Sequence, residues 1–291
     1  MSIDSRWRLR TKNNCLFIDD ISHGKIILQH NARPNLRPYM HPLRLADGSV
    51  CLTEDSPWHH PWQHGIQTGF HGVNGCDFWL DPGQHPDLLI GTIEPSNPRI
   101  SDETSSWIIE SIWRHTDGSL LLVEQQTWSL GMLGEHLFLD LNWMLQAIPN
   151  IHIEQHAYGG LFIRMPFRRD YGASVFNSAG QQDDDTEQQA AKWVNLHMPI
   201  ENSHAGGGIV VLDHPTNPGH PVKWRVDGQR GINPAPCISG DIKLTADSAI
   251  HYCYRLILHS APMSFDQVDE LWLRYAHHQS GGDAKRIHDP A

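Results

Sequence analysis

The chain lacks the motifs by which several common enzyme classes are recognised. In its 291 residues, no G-x-G-x-x-G follows a strand-like run, and no G-x-x-x-x-G-K-[ST], G-x-S-x-G or H-E-x-x-H occurs. These patterns mark dinucleotide sites, phosphate sites, serine nucleophiles and helical zinc sites, respectively. Their absence disfavours nucleotide-dependent chemistry and serine hydrolysis.

Basic residues and long apolar runs are also scarce. The chain has 22 Lys+Arg against 33 Asp+Glu and a net charge of -11, which argues against binding to a phosphate backbone. No window approaches the ~20 apolar residues of a membrane helix. The first residues lack the apolar core of a secretory signal. The sequence therefore predicts a cytoplasmic protein whose partners include neither nucleic acid nor membrane.

Cysteines are few, and their spacing does not suggest disulfide pairs. The five positions are odd in number, widely spaced and never form a C-x-x-C motif; they are Cys15, Cys51, Cys76, Cys237 and Cys253. This usage predicts reduced thiols rather than a disulfide frame or a structural zinc knuckle.

Alternation of apolar and polar residues dominates the chain, as in the run from Leu137 to Leu145. Alternation with a period of two indicates strands that bury one face. The other strand-like runs are 25–30, 88–93, 107–113, 120–128, 151–156, 160–165, 193–197, 208–213, 222–226 and 250–258. Many strands and few helices predict an all-β protein, a large antiparallel β-sandwich.

One helix is signalled near the C-terminus. Ser264 is followed three residues later by Gln267, the pattern of a capping box, and apolar residues then recur at helical spacing. Because no repeat or linker divides the sequence, we expect a single domain over 1–291. Its core should extend from about 12 to 278, with a loose tail at 279–291.

The segment 55–79 concentrates the residues best suited to chemistry. Within it, four histidines stand beside an amide and a carboxylate; the six residues are His59, His60, His64, His71, Asn74 and Asp77. Imidazole changes charge near neutral pH and is the commonest metal ligand, so the cluster indicates proton transfer, metal binding or recognition of a polar ligand. The alternative is a hydrogen-bonded loop in which the histidines satisfy backbone groups.

Two further segments carry candidate ligand-binding residues. In Arg37-Pro-Tyr39-Met-His41-Pro, the period of two places the three named side chains on one side. Arg37 is equally suited to a structural ion pair. His156 and Tyr158 precede paired glycines at a strand end, where the backbone can approach a ligand closely. The alternative there is a β-bulge with a satisfied core histidine.

A proline-rich loop follows the strand that ends near 213. It contains Asp213, His214, Asn217 and His220, which could all face one opening on a rigid sheet. A metal site could also combine His59 or His60 with His64 and the distant His156, although His-His-x-x-x-His is a weak zinc signal.

These segments resemble a bacterial family of unknown function, DUF6807, that is often labelled "methane oxygenase PmoA". The resemblance rests on Arg37-Pro-Tyr-x-His-Pro, on 55–79 and on Asp213-His-Pro-x-Asn-Pro-x-His-Pro, and it covers roughly 30–260. The family's loop reads closer to Asp-His-Pro-His-His-Arg-Gly, so Gln63 and His64 stand where the family has His and Arg. The label implies no activity, because a membrane-embedded oxygenase needs spanning helices.

The chain is also similar, at the level of the fold, to the aldose epimerase and galactose mutarotase supersandwich. In that group a histidine serves as general acid and a carboxylate as base on a sugar ring. The similarity implies a galactose-mutarotase-like sandwich. It has no residue-for-residue match, so it is an analogy of fold.

We therefore expect a carbohydrate-processing enzyme that uses histidine acid–base chemistry, with or without a divalent metal. Epimerase, lyase or hydratase, and hydrolase activities all stay open. The alternative is a non-catalytic sugar-binding or regulatory module. The expected ligand is a small carbohydrate, and the sequence specifies neither a certain cofactor nor an oligomeric state. The catalytic candidates are His60, His64 and His156, and the substrate-binding candidates are Arg37, His41, His59, Asn74, Asp77, Tyr158 and His214.

Overall fold

Strands make up most of the regular structure in the computed structural model, which describes residues 6–101, 105–200 and 206–277. The strands are β1 Trp7–Lys12, β2 Cys15–Asp20, β3 Lys25–Asn31, β4 Tyr39–Leu43, β5 Ile66–Gly69, β6 Thr92–Pro95, β7 Arg99–Ile100, β8 Ser106–Arg114, β9 Leu120–Leu133, β10 His136–Ala147, β11 Ile151–Ile153, β12 Gly160–Ile163, β13 Ser174–Asn177, β14 Trp193–Met198, β15 Gly207–Asp213, β16 Trp224–Val226, β17 Ile232–Pro234, β18 Ile242–Leu244 and β19 Ala249–His259. One α-helix, α1, covers Phe265–Ala276, and 3-10 helices cover Asp183–Thr186 and Pro236–Ser239.

The strands form two large sheets in the described part of the chain. The first sheet has the order β1-β2-β3-β4-β5-β12-β17-β16, and the second has the order β13-β14-β15-β19-β10-β9-β8-β6 with β7 beside β8. A small sheet pairs β11 with β18. Neighbouring strands within each sheet are antiparallel. The predicted all-β antiparallel sandwich with one C-terminal helix is confirmed.

The long strands of the second sheet show why the alternation in the sequence was informative. In β10 every second side chain is buried, beginning with Leu137 and continuing through Trp143 to Leu145. These side chains join one apolar core with side chains of the first sheet, such as Leu16 and Met40. Burying alternate positions of both sheets against each other is what drives two sheets to pack face to face.

A buried carboxyl group lies between the sheets. Glu124 of β9 has no exposed surface and accepts hydrogen bonds from four donors, which fixes the relative position of β5 and the second sheet. The donors are Thr68 Oγ1 at 3.0 Å, Gln126 Nε2 at 2.9 Å, Trp143 Nε1 at 2.7 Å and Trp113 Nε1 at 3.1 Å. A buried polar group is tolerated when its hydrogen bonds are satisfied in this way.

Helix α1 covers the outer face of the second sheet. Ser264 accepts from the backbone N–H of Gln267, whose side chain accepts from the backbone N–H of Ser264, so the predicted capping box is present. Val268, Trp272 and Tyr275 pack on β14, β15 and β19 in a separate apolar cluster. The helical stripe therefore serves packing, as its spacing indicated.

Strand β1 begins at Trp7, ahead of residue 12, where the core was expected to start, and Trp7 is buried. The expected tail at 279–291 lies outside the described residues. All five cysteines are free thiols, as predicted. The described ranges contain no helix with the length and apolarity needed to span a bilayer.

Candidate functional site

Two neighbouring strands bring separate segments of the chain together. Strands β5 and β12 are antiparallel, with Gly69 opposite Gly160 and Ile66 opposite Ile163. The segment after β5 and the segment before β12 therefore lie at the same end of the first sheet. This register explains how His71 and His156, far apart in sequence, become neighbours.

The centre of the candidate site is a pair of imidazole rings. The centroids of His71 and His156 are 4.2 Å apart, and the ring planes are tilted by 34°. His71 Nδ1 donates a hydrogen bond to Asp77 Oδ2. We call His71, Asp77 and His156 the histidine pair and its carboxylate. The predicted site residues Asp77 and His156 thus meet, and His71 joins them.

Asp77 is a firmly held acceptor. Its Oδ1 accepts from the backbone N–H groups of Trp79 at 2.8 Å and Leu80 at 2.7 Å. Burial raises the pKa of this carboxyl, but the hydrogen bonds from His71 and the two backbone groups outweigh burial and lower the pKa overall. An ionised carboxylate only accepts, so His71 carries its hydrogen on Nδ1 and leaves Nε2 for other chemistry.

The pKa values of the two imidazoles are displaced in opposite directions. The hydrogen bond with Asp77 raises the pKa of His71 despite the opposing effect of burial. Burial lowers the pKa of His156, and the neighbouring His71 lowers it further. The Nδ1 atom of His156 is buried and has no hydrogen-bond partner among the described residues. His71 therefore takes up a proton more readily than an ordinary histidine and His156 less readily, although their rings are in contact.

Aromatic rings flank this pair. The ring of Tyr158 lies 4.1 Å from that of His156 and 4.9 Å from that of Trp79, which in turn contacts Phe162 of β12. Tyr158 is half-buried, whereas Trp79 and Phe162 are buried behind it. Burial also raises the pKa of the Tyr158 hydroxyl, which keeps it a hydrogen-bond donor at neutral pH.

Close packing explains why glycine occupies both positions after Tyr158. Gly159 and Gly160 have φ angles of +141° and +111°, a region that side chains disfavour. A Cβ at Gly159 would lie 2.8 Å from Cys237 Sγ, and one at Gly160 would lie 2.9 Å from the backbone oxygen of Pro234. What approaches this backbone is the protein itself, and the bend it allows carries His156 and Tyr158 to the site.

His64 lies in a different environment from the histidine pair. Its Nδ1 contacts Asp55 Oδ1 at 2.6 Å, and its Nε2 contacts Asp81 Oδ2 at 2.8 Å. Burial lowers the pKa of His64, but the hydrogen bonds with the two aspartates outweigh burial and raise it overall. With both ring nitrogens engaged, His64 is bound within an ion-pair network.

Arg37 and His41 are associated with that network. Arg37 is buried, pairs with Asp81 at 3.0 Å and donates to the backbone oxygen of Phe78 at 3.2 Å. His41 Nδ1 lies 3.0 Å from Thr53 Oγ1, and burial lowers the pKa of His41. The structure places Arg37 in the ion-pair arrangement that the sequence had left as one of two alternatives.

His59 and His60 lie at the other end of β5 and β12. His59 Nε2 accepts from buried Arg164, and the rings of His59 and His60 are 4.9 Å apart. Burial lowers the pKa of both imidazoles. This placement separates them from His156, with which the sequence had grouped His60.

Asn74 and His214 have local contacts of their own. Asn74 donates to the backbone oxygen of Asn150 at 3.0 Å and accepts from the backbone N–H of His152 at 2.7 Å, so its amide ties two segments together. His214 contacts Thr216 Oγ1 at 2.7 Å, and its ring packs against that of Tyr275 in α1.

No group of three or more His, Cys, Asp or Glu side chains that could hold a metal ion occurs within the described ranges.

The sequence predicted Asp77, His156 and Tyr158 as site residues but did not single out His71 or Trp79. The signal for His71 was its place among the histidines of 55–79, six residues before Asp77. The contact with His156 depends on strand pairing, which the sequence does not display.

Among solved structures, the chain is similar at low identity to the galactosidase domain of an alpha-galactosidase-sucrose kinase, with 11% identity, a TM-score of 0.38 and coverage of 87% of this chain and 42% of that chain. It is also similar to the alpha-galactosidase from Lactobacillus brevis, with 10% identity, a TM-score of 0.35 and coverage of 96% of this chain and 44% of that chain. A third similar structure is a galactose mutarotase-like protein from Lactobacillus casei ATCC 334, with 10% identity, a TM-score of 0.24 and coverage of 87% of this chain and 100% of that chain.

This chain spans less than half the length of either galactosidase chain. At such identities and TM-scores, the likeness carries no argument about activity. A search of curated proteins finds no match. A family model matches residues 23–273, most of the chain, and nothing in that match carries the methane oxygenase label. The chain therefore belongs to DUF6807, a family of unknown function.

Proposed function

We propose that this protein is a carbohydrate-processing enzyme in which His71 and His156 exchange protons with a sugar. The observation that carries the proposal is the contact of two imidazoles whose pKa values are displaced in opposite directions. Adjacent titratable groups with separated pKa values are the arrangement by which enzymes keep an acid and a base available at one pH. His71 then acts as the acid through Nε2, and His156 acts as the base.

The surroundings of the pair suit a sugar ring. A sugar presents hydroxyl groups at its edge and C–H groups on its face, so it is recognised by polar groups beside an aromatic ring. Tyr158 supplies the half-exposed ring, supported from behind by Trp79 at 4.9 Å. The Tyr158 hydroxyl and the imidazole nitrogens supply the polar contacts.

Proton transfer without hydrolysis is the favoured reaction class. A glycoside hydrolase uses two carboxyl groups on opposite sides of the scissile bond. Asp77, the buried carboxylate here, is already committed to His71 and to two backbone N–H groups. Glu154 lies close enough to His71 to influence its pKa but is exposed. Epimerisation, mutarotation or elimination needs only the acid and the base that the pair provides.

The roles expected from the sequence change accordingly. His156 keeps its proposed catalytic role, and Tyr158 keeps its proposed contact with substrate. Asp77 becomes the residue that orients the acid. The catalytic role expected for His60 and His64 passes to His71, because His60 lies at the other end of β5 and both ring nitrogens of His64 are engaged by carboxylates.

The proposal is tested by proton NMR in D2O with a panel of aldoses, ketoses, uronates and their glycosides. Mutarotation appears as accelerated anomeric exchange, epimerisation as loss of a C–H signal, and elimination as a new vinylic signal. We expect one of these with the native protein and a loss of about 100-fold or more in His156→Ala and His71→Asn, the usual size of a general acid–base contribution.

The matched control is His152→Ala. His152 forms a similar pair with Asp241, at 2.8 Å, but on the exposed surface. This variant should keep full activity. If a sugar binds and no variant or native protein turns it over, the protein is the non-catalytic sugar-binding module instead. If no carbohydrate of the panel binds or reacts, the proposal is wrong.

A further inference from the structure

His64 lies between two segments of the chain. One segment contains Asp55, and the other runs from Asp77 to Asp81. The imidazole contacts Asp55 at 2.6 Å and Asp81 at 2.8 Å through its two nitrogens. Ionised carboxylates only accept hydrogen bonds, so satisfying both requires both nitrogens to donate. Where both aspartates are ionised, this geometry corresponds to the imidazolium form of His64.

The segment from Asp77 to Asp81 is held at several points. Arg37 donates to the backbone oxygen of Phe78 at 3.2 Å and to Asp81 at 3.0 Å. His64 holds the other oxygen of Asp81. At the opposite end, Asp77 accepts from His71. Arg37 therefore holds this short segment at Phe78 and at Asp81, and His64 holds it at Asp81, while Asp77 at the other end orients the proposed acid.

The position of His64 is itself well defined. Its backbone N–H donates to Gln67 Oε1 of β5 at 2.8 Å, and its ring packs on that of Tyr39 at 4.8 Å. Only 7% of its side chain is exposed. A charged group so deeply buried is tolerated when paired and hydrogen-bonded, and a neutral ring would leave one of the two aspartates facing a nitrogen that cannot donate.

We propose that His64 is a positioning residue that acts through Asp81 to hold Asp77 against His71. The inference rests on the proposed function for its catalytic meaning, but the placement of His71 can be measured without any substrate. His64 does not touch the reacting atoms in this scheme; it fixes the carboxylate that sets the hydrogen-bonding state of the acid.

The test compares three variants by NMR of histidine-labelled protein. His64→Gln removes the charge, and His64→Arg replaces it with a permanent cation that has several donors. His30→Asn is the control for general destabilisation, because His30 is an equally buried imidazole whose hydrogen-bond partner, Trp107, belongs to the core. The readouts are the pKa of His71 and the downfield signal of its Nδ1 proton.

We expect His64→Gln to move the pKa of His71 back toward its ordinary value and to broaden the Nδ1 proton signal. His64→Arg should restore both, and His30→Asn should change neither although it lowers stability. If His64→Gln stays folded with the His71 signals unchanged, or if His30→Asn shifts them equally, the positioning role is wrong.

Activity separates this inference from the proposed function. Where a sugar is turned over, His64→Gln should lower kcat by about 10-fold with little change in KM, since a misplaced acid affects the chemical step more than binding. An equal loss in His64→Arg would contradict the role of the cation. If no sugar reacts with the native protein, the proposed function fails, while the NMR comparison still decides whether His64 positions His71.

Discussion

Replacing Glu124 tests how the two sheets are held together. Its carboxyl group accepts four hydrogen bonds with no exposed surface. Three donors meet Oε1, and Trp113 meets Oε2 at 3.1 Å. In Glu124→Gln, the amide oxygen can keep the first three, but the amide nitrogen then faces the indole N–H of Trp113. One hydrogen bond is lost and two donors are left unpaired.

An unpaired buried donor costs about 1–3 kcal/mol, so Glu124→Gln should lose about 2–4 kcal/mol of folding free energy. Glu124→Ala removes the shared acceptor of all four donors, of which Gln126 Nε2 keeps its bond to Thr68 Oγ1 at 3.0 Å. It also creates a void, so it should lose at least about 4 kcal/mol. A domain has a free energy of unfolding of only about 5–15 kcal/mol in total. The glutamine variant is therefore the more informative one, because it leaves more of that stability to be measured.

The assay is urea unfolding followed by circular dichroism, and the indole N–H signal of Trp113 reports on the lost hydrogen bond. Glu110→Gln is the control: Glu110 lies in the adjacent strand β8 with a partly exposed side chain. It should change stability by less than about 0.5 kcal/mol. A Glu124→Gln protein as stable as the native one would contradict this prediction, because the hydrogen bond from Trp113 would then contribute nothing.

Two further predictions concern stability. Burial lowers the pKa of His30 to about 3 and that of His259 to about 4, so the unfolded chain takes up protons first as pH falls below 6.5. The folding stability that depends on keeping these histidines neutral is complete above pH 6.5 and is lost as pH falls toward the pKa values of the folded state. His30 alone should account for a loss of about 3 kcal/mol by pH 4. His30→Asn should flatten the dependence of the urea midpoint on pH, and an unchanged curve would contradict this. Ser264→Ala should cost about 1 kcal/mol by removing the capping box of α1, with Ser260→Ala as a neutral control; equal midpoints for the two variants would argue against the cap.

The sequence was informative where one periodicity described a whole element. Alternation predicted the long strands β8, β9 and β10, and the capping box at Ser264 predicted the start of α1. Short strands gave a weaker signal. Strand β5, Ile66–Gly69, is buried on both faces and lies in a histidine-rich segment, so no alternation marks it. Strand β1 was missed because basic residues interrupt its apolar positions.

The candidate site was harder to predict than the fold. Composition located the histidine-rich segment but could not distinguish His71, which points at His156, from His64, whose nitrogens are both bound by aspartates. That difference depends on long-range contacts with Asp81 and on the register of β5 against β12. In the loop at 213–221, which was expected to present His214 to a substrate, Asp213 and His220 form their own hydrogen bond, and the ring of His220 stacks on Trp272 of α1.

The most direct test is an NMR titration of His71 and His156 in the native protein and in Asp77→Asn. We expect the pKa of His71 to lie above 6.5 and that of His156 to lie below it. In Asp77→Asn the pKa of His71 should fall, because the ionised acceptor has gone. Two pKa values that both lie near 6.5, or a His71 that does not respond to Asp77→Asn, would contradict the central claim that these two imidazoles form an acid–base pair.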